Sequence, residues 1–73
     1  MADEMLMQHL NEELHDVEAY MEVYHETECG VFKDLAHEEM SHARILKEMC
    51  DMNNVDPELY LSAWEHAERI LMK

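Results

Sequence analysis

The stretch LAHEEMSHARIL, residues 35 to 46, reads as one face of a buried helix except at its middle. Phe32, Leu35, Leu46 and Met49 fall at the three- and four-residue steps of an apolar helical stripe. The two steps between Leu35 and Leu46 are taken by Glu39 and His42. A carboxylate and an imidazole thus stand where such a helix places two leucines.

Working toward the N-terminus, a first helix is predicted from about Asp3 to about His25. Its stripe is Leu6, Leu10, Glu13, Val17, Tyr20 and Tyr24, an alternation of four- and three-residue steps that packs helices nearly parallel or antiparallel. Glu13 is again a carboxylate in an apolar position. ETECG, residues 26 to 30, is the predicted turn, with Thr27 as N-cap and Gly30 relaxing the backbone. The second helix then runs to about Cys50, with Ala36 and Ala43 beside its stripe to admit a close neighbour. DMNNVDP breaks the pattern, and Asp56, Pro57 and Glu58 make a strong helix start. A third amphipathic helix follows, apolar at Tyr60, Ala63, Trp64, Ala67, Ile70 and Leu71. No strand is predicted. The fold class is all-α: an antiparallel two-helix hairpin over residues 1–52, then a linker and C-terminal helix over residues 53–73.

Composition agrees. The 73 residues make one domain, 48% of them are apolar, and one Gly and one Pro leave little material for loops. A formal charge of −13 argues against nucleic acid and anionic membrane surfaces as partners and favours cations. The sequence shows no membrane span and no secretory signal. Cys29 and Cys50 lie at opposite ends of the second helix, too far apart for a disulfide, and are expected as small buried hydrophobes in a reducing cytosol. The eight methionines are expected as flexible core filler.

A short turn forces the first two helices into a hairpin. Glu13 and Glu39 each lie thirteen residues from residue 26, so on antiparallel rods of equal rise they meet at one height. Glu13, Glu39 and His42 therefore converge. Buried ionised carboxylates are costly unless a positive charge compensates them. A Glu-x-x-His pair on one helix and a Glu on the next form half of a di-iron bundle site, which takes two of each. Two chains supply four carboxylates, a charge of −4, against two divalent ions at +4. Oxygen-rich donors with one imidazole per metal suit iron or manganese better than structural zinc. The reading is a homodimer with two irons. Taken singly, each residue also fits a plainer role, a register-setting Glu or a chance Glu-x-x-His on an acidic helix.

Around the ligands, His9 stands one turn from Glu13 and His37 near Glu39, as outer hydrogen-bonding candidates. Glu12, Asp16 and Glu38 offer either an acidic approach path or a plain solvated face, and Tyr20 and Tyr24 sit above Glu13 either as core packing or as hydroxyl donors near the site. His15, His25 and His66 are expected in solvent.

At NEELHDVEAY (11–20) and LAHEEMSHARIL the chain resembles the ferritin-like superfamily, and more narrowly the encapsulated ferritin family. The resemblance covers roughly residues 6 to 50. It implies metal ligands at Glu13, Glu39 and His42, a site tyrosine at Tyr20, and an entry carboxylate at Glu12. It also implies a ferroxidase that oxidises Fe(II) to Fe(III) with oxygen for iron storage or detoxification, assembled as rings of dimers. Ala19 stands where the family usually has Trp, and His15 where it has an acidic residue. The sequence as read ends at Lys73 before the tail that docks such cargo in an encapsulin shell. Cytoplasmic location, with or without that compartment, is the expectation. The rival expectations are a non-catalytic acidic module that docks a basic partner and a non-redox metal buffer.

Overall fold

The computed structural model describes residues 2 to 73, with side chains from Glu4 onward. Three α-helices follow one another, α1 (Ala2–Thr27), α2 (Gly30–Met52) and α3 (Leu61–Leu71), with a 3-10 turn at Pro57–Leu59 before α3. No strand occurs among the described residues. Among the described residues no helix is long and apolar enough to cross a membrane.

α1 and α2 pair antiparallel along their length. Lys33 Nζ lies over the Tyr24 ring near the turn, Glu13 faces His42 at mid-height, and Met7 shares a groove with Val55 at the far end. The long dimension is 39 Å, which matches the 26 residues of α1 at about 1.5 Å each.

The turn differs from expectation in its chemistry. Thr27 closes α1 and does not cap α2: its Oγ1 donates to the Val23 carbonyl at 2.8 Å and accepts from the Cys29 amide at 3.2 Å. Glu28 is the left-handed residue, with φ 56°, while Gly30 is simply the first residue of α2. Cys29 occupies the N-cap position without a side-chain bond. At the third helix the expected cap holds, since Asp56 Oδ1 accepts from the Glu58 amide at 3.0 Å. Pro57 opens the 3-10 turn, and α3 proper begins at Leu61.

The core is Leu10, Leu14, Val17 and Met21 from α1, Ala36, Met40, Ala43 and Cys50 from α2, and Val55, Tyr60, Trp64 and Ala67 from the C-terminal segment. Ala36 and Ala43 are fully buried, the close approach their size allows. On α2 each core residue lies one position after a residue of the predicted stripe, for example Ala36 after Leu35, Met40 after Glu39 and Ala43 after His42. One position is about 100° of helix rotation. α3 lies along one side of the hairpin, chiefly against α1, and its Trp64 and Ala67 join Ala36, Met40 and Ala43 in one buried cluster. Ala63 faces solvent, and Ile70 and Leu71 are half-buried.

Two further expectations change. Cys29 is exposed and only Cys50 is buried; no disulfide joins them. Met21 and Met40 fill the core, whereas Met5, Met49, Met52 and Met72 are exposed. The C-terminus of α2 is tied to the segment leading into α3 through Tyr60, whose buried ring carries a hydroxyl that donates to Asp51 Oδ1. Lys47 Nζ, 3.4 Å from Asp51 Oδ2, also sits over the Trp64 ring. That hydrogen bond and burial push the Tyr60 hydroxyl up to about 12. The same bond, aided by Lys47, holds Asp51 below the usual carboxylate value.

Candidate metal centre

Glu13 projects from the middle of α1, and Glu39 and His42 project from the middle of α2, three residues apart and so on one side of it. One ligand atom from each lies within 4.8 Å of the other two. His42 Nδ1 is 3.9 Å from Glu13 Oε2 and 4.0 Å from Glu39 Oε1. Both carboxylates are largely covered, while 60% of the imidazole is exposed. The three side chains therefore form an open-mouthed cluster, with carboxylates at its floor and His42 at its rim.

The floor is electrostatically unsatisfied. Glu13 Oε2 is buried and has no hydrogen-bond partner. Hydrogen bonding to the Glu13 carboxyl, burial and the adjacent negative charge together raise the pKa of Glu39, and His42 offsets only part of this. A buried acceptor without a donor costs about 1–3 kcal/mol, and two carboxylates side by side disfavour double ionisation. A divalent cation answers both defects at once. Carboxylate oxygen and imidazole nitrogen are suitable donors for iron, manganese or zinc. The donors of one chain leave such an ion short of a full coordination shell.

The outer candidates are more scattered. Tyr20 is half-buried against the core, on the same side of α1 as Glu13. His9 and Glu12 pair with each other at 3.8 Å on an exposed turn, outside the cluster. Glu12 and Asp16 line a shallow depression with Gln8, Asn11 and His15. His37 faces the other way and shares a depression with Arg44 and Glu68, toward α3. His66 is not simply solvated, because its Nε2 lies 2.7 Å from Glu18 Oε1 across the α1–α3 groove. No spacing rule within one helix could reveal that contact, since it depends on how α3 docks.

The apolar surroundings are uneven. α3 covers one side of the hairpin, and the side bearing His42 has no such cover. By helical phase Val31, Ile45 and Met49 share the edge of α2 with His42, and they are 59%, 59% and 43% exposed. Comparison with protein-family models, curated proteins and solved structures finds no match to this chain.

Proposed function

We propose that two copies of this chain pack through their His42-bearing faces into a four-helix bundle, bind a pair of ferrous ions and oxidise them with oxygen. The observation that carries this reading is the Glu13–Glu39–His42 cluster, with its buried, partnerless Glu13 oxygen beside a second carboxylate. The exposed Val31, Ile45 and Met49 supply apolar surface for the second copy at the place where the cluster lacks donors.

In this reading Fe(II) is the substrate, and it supplies the one-electron couple through which oxygen is reduced. The protein's part is to bind and to position. Glu13 and Glu39 hold the ions as carboxylates, and the cations offset the hydrogen bonding to Glu13, the burial and the neighbouring charge that raise the pKa of Glu39 in the metal-free chain. His42, at the rim, offers a neutral nitrogen that adds no charge, so four carboxylates from two chains balance two divalent ions. The resemblance to encapsulated ferritins supports storage or detoxification as the purpose, with rings of dimers and an encapsulin shell as its further implication.

The test is aerobic addition of Fe(II) to the purified chain, followed by near-ultraviolet absorbance. Oxidation should outpace buffer and saturate near two irons per two chains, and His42→Ala should slow it strongly while circular dichroism stays helical. Iron binding without accelerated oxidation identifies a non-redox buffer instead. No binding leaves only an acidic docking module, consistent with the charge of −13.

A further inference from the structure

A second group of potential ligands lies on another edge of α1. In HDVEAYMEVYH, residues 15 to 25, His15, Glu18, Glu22 and His25 recur at steps of three, four and three, which keeps them along one line of the helix. α3 docks beside that line. Glu18, Glu22, His25 and His66 line one cleft of about 300 Å3, together with Met21, Ile70 and Lys73. His66 Nε2 is 2.7 Å from Glu18 Oε1, a contact between α3 and α1. His15 Nδ1 approaches the other oxygen of Glu18 at 4.0 Å from outside the cleft.

We propose that this α1–α3 cleft binds one divalent transition-metal ion of the zinc class, held by Glu18 and His66 with Glu22 and His25 completing its coordination, and that the ion fastens α3 to the hairpin. Zinc ligands sit about 2.0–2.1 Å from the metal, which places neighbouring ligand atoms roughly 3 Å apart. The Glu18–His66 pair needs to open by only a few tenths of an ångström for an ion to replace the hydrogen bond. Glu22 and His25 are exposed, so their side chains can turn toward the cleft, His25 giving up only its tilted contact with the Tyr24 ring. Two imidazoles and two carboxylates give a more nitrogen-rich set than the Glu13 cluster, and imidazole favours zinc and copper over iron. Lys73 lines the cleft and opposes the ion, but two carboxylates leave the local balance negative. Ordinary surface His–Glu pairs join neighbouring turns of one helix and hold nothing together. Here the pair joins two helices, so an ion would lock tertiary structure.

This proposal is independent of the di-iron reading, and the experiment separates them. The full chain carrying Glu39→Leu and His42→Ala removes two of the three ligands of the first cluster. Titrated with Zn(II) by calorimetry and with Co(II) by visible absorbance at pH 7.5, it should still take one ion per chain. Zn(II) should raise its melting temperature and alter the fluorescence of Trp64, the single tryptophan, which lies on α3. Adding His66→Ala or Glu18→Gln should weaken binding by at least about tenfold, the lower scale for disturbing even the partners of metal ligands, and abolish the thermal shift. Adding His15→Ala should change neither. Equal binding with and without His66→Ala overturns the proposal, as does absence of a bound ion in the Glu39→Leu, His42→Ala chain.

Discussion

Replacing Glu39 with leucine separates a residue held for folding from one held for a ligand. In the metal-free chain Glu39 lies on the α1–α2 face beside Glu13, with its side chain only 20% exposed and no cationic partner unless His42 is protonated. Replacing buried ionic groups with apolar ones of similar volume is neutral or stabilising by about 1–4 kcal/mol. The residual exposure of Glu39 and the wide exposure of His42 put this site at the lower end, about 1 kcal/mol. For a domain of this size that is a rise of about 4–8 °C in melting temperature. The pH dependence has a definite sign. A folded-state pKa raised above the unfolded one favours the fold below the unfolded value and loses that advantage as pH rises through the folded value. The metal-free wild type therefore loses stability as pH rises through the raised value of Glu39, so the leucine variant should gain at pH 7 and not at pH 4. With Fe(II) at a hundred times its dissociation constant, binding adds about 2.7 kcal/mol to wild type alone, and the order should reverse. Thermal melts at equal protein concentration, in chelator and in anaerobic Fe(II), decide it. If Glu39→Leu melts below wild type in chelator at pH 7, the carboxylate is structural and the reasoning fails.

Three further outcomes are expected. Glu28→Gly should raise stability by about 1 kcal/mol in a denaturant melt, because the left-handed turn residue, φ 56°, loses its Cβ clash. Tyr60→Phe should lower the melting temperature at pH 7 by removing the hydroxyl bond to Asp51; the deficit should shrink as pH falls through the depressed Asp51 value, and again as it rises through about 12, where Tyr60 ionises. Ile45→Lys, on the exposed edge beside His42, should leave helicity unchanged and reduce the mass of iron-loaded protein in sedimentation from two chains toward one.

The helices themselves were legible because their signals are local. Periodic apolar residues, one Pro behind a capping Asp56, and the near-absence of Gly specify three helices and the start of the third. Equal spacing of Glu13 and Glu39 about the turn was enough to place them at one height. The turn's own chemistry was less legible, since Glu28, and not the adjacent glycine, takes the left-handed conformation. Nothing in ETECG forbids that, because a helix C-terminus can place any residue there at modest cost.

The buried face was misread for a reason that bears on function. The spacing of large apolar residues picks out Phe32, Leu35, Leu46 and Met49, while the fully buried positions of α2 include Ala36 and Ala43. A helix with a large-residue stripe and an alanine-bearing stripe about 100° apart has two partners to satisfy. The small residues are buried within the chain, in the cluster that α1, α2 and α3 share. The large ones stop half-covered at the edge, and they flank the very positions where Glu39 and His42 interrupt them. A partner surface would bury that stripe, and a cation would compensate the carboxylates at its centre. In the dimer we propose, a second copy would bring the same stripe and the same three donors to the same height, so association and metal binding would become a single event: the polar residues that weaken the interface without metal would be those that hold it together with metal.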